Sequence, residues 1–120
     1  MLNDCRGFDH IYLKVGFTDL RRGLDGLVSI VREDYHLDPY SNSIFLFCGR
    51  RNDRIKALVW EGDGFLVAYK RLETGSFRWP RSADEVHDIS DQQFRWLMEG
   101  LNPEQKKAIP KIYPRDPATF

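Results

Sequence analysis

Residues 43–80 read SIFLFCGRRNDRIKALVWEGDGFLVAYKRLETGSFRWP. Short apolar or alternating runs are separated by clusters of turn residues, the pattern of successive β-strands joined by tight connections. Ile44 to Cys48 is apolar at every position, as expected of a strand covered on both faces. Arg54 to Trp60 is the next strand. Glu61-Gly62-Asp63-Gly64 is the strongest hairpin signal in the chain, because its glycines permit positive φ. Phe65 to Leu72 follows, with Phe65, Val67 and Tyr69 on one face and Leu66, Ala68 and Lys70 on the other. After the turn Glu73-Thr74-Gly75-Ser76, Phe77-Arg78-Trp79 reads as a last short strand that Pro80 terminates or keeps at an edge.

Upstream, Ile11, Leu13 and Val15 alternate with Tyr12 and Lys14, which predicts a strand over 10–15 that Gly16 ends. Leu20, Leu24, Leu27, Val28, Val31 and Tyr35 recur at helical spacing. With Thr18 as N-cap, they predict an amphipathic helix over 18–35, in which Gly23 and Gly26 either allow close approach to another backbone or simply weaken the helix. Downstream, Ser82 to Asp88 reads as a polar connector. Ser90 and Gln93 form a capping box, Ile89 and Phe94 stand at staple positions, and Gly100 fits a C-terminal stop, so a second helix is expected over 90–100. Phe94, Leu97, Met98 and Leu101 make its apolar stripe. Trp96 lies off that stripe, either as an outward partner contact or packed beneath the tail. From Asn102 onward, Pro103, Pro110, Pro114 and Pro117 favour an extended course, with Ile112 and Tyr113 available to a partner. The expected fold is an α+β domain over 1–101 of order β-α-β-β-β-β-α: an antiparallel meander, the first helix on one face, a C-terminal helix, and a proline-rich tail over 102–120.

The 120 residues carry 18 Lys and Arg against 18 Asp and Glu, and this neutral total argues against coating nucleic acid by charge alone. The distribution is less even. From Ile44 to Arg81 there are eight basic and four acidic residues; from Ser82 to Gln105 six acidic and only Arg95. Cys5 and Cys48 are too few and too far apart for a disulfide framework or zinc site, and Cys48, ending an apolar strand, is expected to be a buried thiol. The first ten residues, MLNDCRGFDH, are polar, and no apolar run approaches the roughly 18 residues that span a bilayer, so a soluble cytoplasmic protein is expected.

Chemistry is harder to find. His10, His36 and His87 are isolated from one another and from cysteine. Nucleophile-elbow and Walker-type runs are absent, and Gly62-Asp63-Gly64 joins strand to strand rather than strand to helix. Asp53, the pair Glu61 and Asp63, and Glu73 occupy three different turns, an arrangement that disfavours a two-metal nuclease centre. No catalytic residue and no cofactor is assigned. What remains is an interleaving of basic and aromatic residues: Arg50, Arg51 and Arg54; Tyr69, Lys70 and Arg71; Arg78, Trp79 and Arg81. Arginine forks to phosphate and aromatic faces stack bases, which suits a nucleic-acid surface. On the other reading the aromatics are core and the cations are solvated strand edges.

Several stretches resemble a known family: TDLRRGLDGL at 18–27, DPYS at 38–41, FLFCGRRNDRIK at 45–56, WEGDGF at 60–65, YKRLE at 69–73 and GSFRWP at 75–80. In unbroken order from Val15 to Pro80, they look like the TnpB-type accessory protein of the bacterial insertion-sequence family numbered sixty-six, the product of its second open reading frame. The resemblance implies a small protein encoded beside a separate, larger transposase to which the strand-transfer chemistry belongs. It implies a non-enzymatic role in transposition, contacting DNA at element ends, the transposase, or both. The alternatives are docking on the transposase without DNA contact and, least favoured, a metal-dependent nuclease.

Overall fold

The computed structural model describes residues 7–82 and 85–103. Five strands form one sheet in the order β4-β3-β2-β1-β5: β1 His10–Phe17, β2 Ser43–Cys48, β3 Arg54–Trp60, β4 Phe65–Arg71 and β5 Val86–Ile89. Helix α1 (Leu24–Ser29) continues into a π-helical turn (Ile30–Asp34), and α2 (Asp91–Met98) follows β5. The class is α+β, in the element order expected. Strands β2, β3 and β4 are the antiparallel meander, closed at Glu61–Gly64 by a bond from the Glu61 amide to the Gly64 carbonyl at 2.9 Å. β1 joins β2 in parallel through the α1 crossover, so the sheet is mixed.

The central strand explains the layering. All six residues of β2 are buried. Ile44, Leu46 and Cys48 join Ile11, Leu13, Val15, Ile55 and Ala57 under Phe77, Trp79, Phe94 and Leu97. Phe45 and Phe47 face the other way and pack with Leu58 against Leu27, Ile30 and Val31 of the first helix. Tyr40, Trp60 and Phe65 stack edge to face at one end of that second layer, ring centres 4.9 Å apart in both the Tyr40–Trp60 and Trp60–Phe65 pairs.

Two expectations are corrected. The first helix begins at Leu24 with Gly23 as its N-cap, not at Thr18. The Thr18 amide instead donates to the Cys48 carbonyl at 2.7 Å. Asp19 then closes a side-chain turn on the Arg21 amide at 3.0 Å, and Lys56 Nζ draws the carbonyls of Leu20 and Arg22 to 2.7 and 3.2 Å. Backbone groups that a helix would need are thereby committed elsewhere. The π-helical turn places Ile30 among the buried residues, and His36, at φ 54, ends the segment in the left-handed region.

Phe77-Arg78-Trp79 is not a strand. The Phe77 amide donates to the Asn52 carbonyl at 2.7 Å, and the Trp79 indole donates to the Lys14 carbonyl at 2.8 Å. The segment crosses the core and plugs it with both rings. The fifth strand is Val86–Ile89, inside the stretch expected to be a connector, and it pairs antiparallel with β1 from Ile11↔Ile89 to Lys14↔Val86.

Helix α2 follows its local signals. The Ser90–Gln93 capping box is present in both directions. At the other end the Leu101 amide bonds the Trp96 carbonyl at 2.8 Å and the Gly100 amide bonds the Leu97 carbonyl at 3.1 Å, with Gly100 at φ 80, which is a complete Schellman stop. Pro103 is fully buried and shares a small cavity with Leu13, Pro80 and Ile89, so the chain still packs on the domain there. Ile112, Tyr113 and the rest of the expected tail from 104 onward lie outside the described residues. Among the described residues no helix is long and apolar enough to cross a membrane.

Candidate nucleic-acid interface

An open groove of about 940 Å³ lies where β1 and β2, the two parallel strands, reach their carboxyl ends. In open α/β sheets this is the usual place for a site, because loops leaving adjacent parallel strands diverge there. One wall is the segment after β1, Phe17 to Arg21. The other is the turn after β2, Gly49 to Arg51. Arg54, Lys56, Val67 and Tyr69, from β3 and β4, complete the lining.

Local geometry sets both walls. β1 bulges relative to β2 between Leu13 and Phe17, with Gly16 at φ 82, a conformation that a side chain would strain. The bulge leaves Phe17 49% exposed at the lip of the groove. On the other wall Gly49 is tightly packed: a Cβ there would lie 3.1 Å from Arg54 Cγ and 3.2 Å from Leu20 Cδ1, so those side chains would have to shift to admit one.

The sheet register decides which cations enter. Arg54 stands opposite Arg71 and Lys56 opposite Tyr69, so these four share the helix α1 face. Lys70, opposite Ile55, belongs to the other face. Of the residues expected at a nucleic-acid surface, Arg50, Arg51, Arg54 and Tyr69 converge on the groove. Arg71 lies on the same face but outside the lining. Arg78 is exposed on the segment that crosses the core, away from the groove. Trp79 is 5% exposed and spent in packing, so it offers no face to a base.

Arg81 has a different task. It donates to the Gly49 carbonyl at 2.9 Å and to the Asn52 amide oxygen, and its guanidinium lies 5.8 Å from the Phe17 ring centre. It ties the segment after Trp79 to both groove walls. Trp96 is half-buried on α2. Phe17, Arg21 and Lys56 were missed at the level of sequence. Only Lys56 left a signal, since it shares the strand parity of Arg54.

Charges in the groove are unequally compensated. Asp19 takes a two-pronged bond from Arg21, Nε to Oδ1 at 3.0 Å and Nη2 to Oδ2 at 2.8 Å, which lowers its carboxyl to about 2. Arg54 Nε bonds Asp53 Oδ1 at 2.8 Å, a contact that lowers the Asp53 carboxyl and raises the guanidinium. Arg50 instead lies over the Phe17 ring at 4.8 Å, and Lys56 holds carbonyls and sits 5.9 Å from the Tyr69 ring centre. Arg51 is exposed beside them. Arg51 shares the field of Asp53, whose carboxyl it helps to lower, while Arg50 and Lys56 add positive potential that no carboxylate contact among the described residues cancels. The same wall buries Thr18, whose Oγ1 is sealed from solvent without a hydrogen-bond partner among the described residues.

Cys48 sits beneath the groove with Arg81 Nη2 3.9 Å from its sulfur. Burial pushes its thiol up to about 11, the nearby guanidinium opposing that only in part. At pH 8 about one thiol in a thousand is then ionised. In a Cys5→Ser chain, iodoacetamide should label native Cys48 at least roughly 100-fold more slowly than the urea-unfolded chain. Equal rates would mean the strand end is open to solvent.

Among the described residues no three His, Cys, Asp or Glu side chains gather at one place. The fold and the groove together define a small three-layer α+β module with a cationic, aromatic-lined cleft at the ends of its parallel strands. The chain belongs to the family described as IS66 Orf2 like protein, TnpB_IS66, whose model matches residues 9–108. It is therefore an accessory protein of an insertion sequence. Two relatives come from Sinorhizobium fredii (strain NBRC 101917 / NGR234). The uncharacterized protein y4jC is 35% identical over 102 residues, covering 85% of this chain and 86% of the relative. The uncharacterized protein y4hO is 32% identical over 92 residues, covering 77% and 80%. No solved structure gives a significant match.

Proposed function

We propose that this protein serves transposition of its insertion sequence as a non-enzymatic, cytoplasmic factor that contacts DNA at the element ends, alone or with the transposase, through the groove between Phe17 and Tyr69. The observation that carries this reading is the gathering of Arg50, Arg51 and Lys56 in one groove, Arg50 and Lys56 without a carboxylate contact among the described residues, in a chain whose total charge is zero. A neutral protein gains little from long-range attraction, so a local excess of cations marks where polyanion contact would be made.

The test is fluorescence anisotropy of a labelled element-end DNA titrated with the protein across a salt series. A handful of phosphate contacts should give a log–log slope of about −2 to −4. Absence of any retention at low salt would reject the reading. It would favour docking on the transposase, for which Trp96 and the tail residues Ile112 and Tyr113 are the named contacts.

A further inference from the structure

We infer that the groove takes an unpaired DNA strand rather than a duplex, with a base stacked on Tyr69 and phosphates held by Arg50 and Arg51. This rests on the nucleic-acid reading above and narrows it to a class of ligand.

The shape of the site is the first argument. The groove is open and concave, about 940 Å³ between the Phe17–Arg21 and Gly49–Arg51 walls. Duplex DNA is a convex cylinder with its phosphates outermost and its bases stacked inside. It meets protein through protruding helices, ribbons or arms that enter its grooves. A concave groove with one ring at its lip and one on its sheet floor does not enter the grooves of a duplex and cannot reach paired bases. An unpaired strand, with its bases splayed, enters such a cleft readily.

The second argument is the exposure of the rings. Tyr69 is 53% and Phe17 49% exposed, whereas the other aromatics of the sheet are buried (Phe45, Phe47) or half-buried (Tyr12, Trp60, Phe65). Tyr69 lies on β4, an edge strand, and cross-strand from Lys56. Each ring has a cation beside it: Lys56 at 5.9 Å from Tyr69 and Arg50 at 4.8 Å from Phe17. Alternating rings and cations match the alternating bases and phosphates of a single strand, which binds by stacking and charge together.

The third argument is what the groove lacks. Its uncharged polar side chains are Thr18 and Tyr69, and the Thr18 hydroxyl is sealed from solvent. Asp19 and Arg21 are tied to each other, Arg54 to Asp53 and Lys56 to backbone carbonyls, so few groups are left to read base edges and recognition should tolerate sequence.

The experiment compares three labelled ligands of equal length at one low salt concentration: a thymidine oligomer of about a dozen nucleotides, an abasic oligomer with the same phosphates, and a duplex. Wild-type protein should bind the thymidine oligomer about 5- to 150-fold tighter than the abasic strand, the value of stacking one base. It should also bind it at least about 10-fold tighter than the duplex. Tyr69→Ala should lower thymidine binding to the abasic level, and Tyr69→Phe should restore it. Tyr69 is exposed, so neither change threatens folding. Equal binding of the thymidine and abasic strands, or a preference for duplex, would overturn this inference and leave the DNA-contact reading intact. Failure of all three ligands to bind would overturn both.

Discussion

Replacing Trp79 with Ala is expected to destabilise the domain by about 3–5 kcal/mol and to lower Tm by roughly 12–20 °C. The ring is 5% exposed, wedged with Phe77 between the sheet and α2, and its indole N–H satisfies the Lys14 carbonyl at 2.8 Å. Truncation removes apolar burial, leaves a cavity, and orphans a backbone acceptor beside the β1 bulge. The loss is comparable with the whole stability of an ordinary domain, which lies at about 5–15 kcal/mol. Trp79→Phe keeps most of the packing and loses the hydrogen bond, so it should cost less than half as much. Urea unfolding of the three proteins checks the order. A Trp79→Ala chain as stable as the parent, with DNA affinity lost, would instead return Trp79 to the stacking role that its sequence neighbours suggest.

Trp79 also shows where sequence reasoning stops. Phe77-Arg78-Trp79 alternates bulky and charged residues as a strand does, and period two alone does not separate a paired strand from an extended segment whose rings plug a core. The true fifth strand, Val-His-Asp-Ile, is four residues long. His87 and Asp88 disguise it, and its partner β1 is more than seventy residues away in sequence. Only the tertiary structure supplies that pairing. The meander was legible because its signals are local: an all-apolar β2, a glycine-bearing turn at Glu61–Gly64, and alternation through β3 and β4. Helix α2 was legible for the same reason, since its cap and stop are both written within a few residues. The start of α1 was not. Lys56, a strand residue 34 to 36 positions downstream, captures the carbonyls that would have propagated the helix back to Thr18.

The site was half legible. Arg50, Arg51, Arg54 and Tyr69 stood out as basic and aromatic residues in adjacent turns and strands, and parity would have added Lys56 and set Lys70 on the opposite face. Phe17 and Arg21 reach the groove only because a bulge at Gly16 and an Asp19 turn redirect the chain after β1. Neither device has a period to detect. Arg81 looked like one more phosphate contact. Its bonds to Gly49 and Asn52 make it a brace for the turn that presents Arg50 and Arg51.

That distinction leads to the largest effect expected on binding. The double variant Arg50→Ala/Arg51→Ala removes two exposed cations from a turn and touches no buried group. If each meets one phosphate, the log–log salt slope should flatten by about 1.4 on a single strand or 1.8 on a duplex. Affinity at 0.1 M salt should then fall roughly 25- to 60-fold. The matched control is Lys70→Ala/Arg78→Ala, which changes net charge by the same amount at positions outside the groove. It should move affinity no more than about threefold and leave the slope unchanged within error. Arg54→Ala should fall between them, because its guanidinium is already paired with Asp53 at 2.8 Å and removing it also frees that carboxylate. Equal losses in the two double variants would show that DNA responds to the charge of the whole molecule, and the groove would lose its claim as the contact surface. A loss confined to Arg50→Ala/Arg51→Ala, with circular dichroism and Tm unchanged, requires that phosphate be held at the turn where the parallel strand β2 ends.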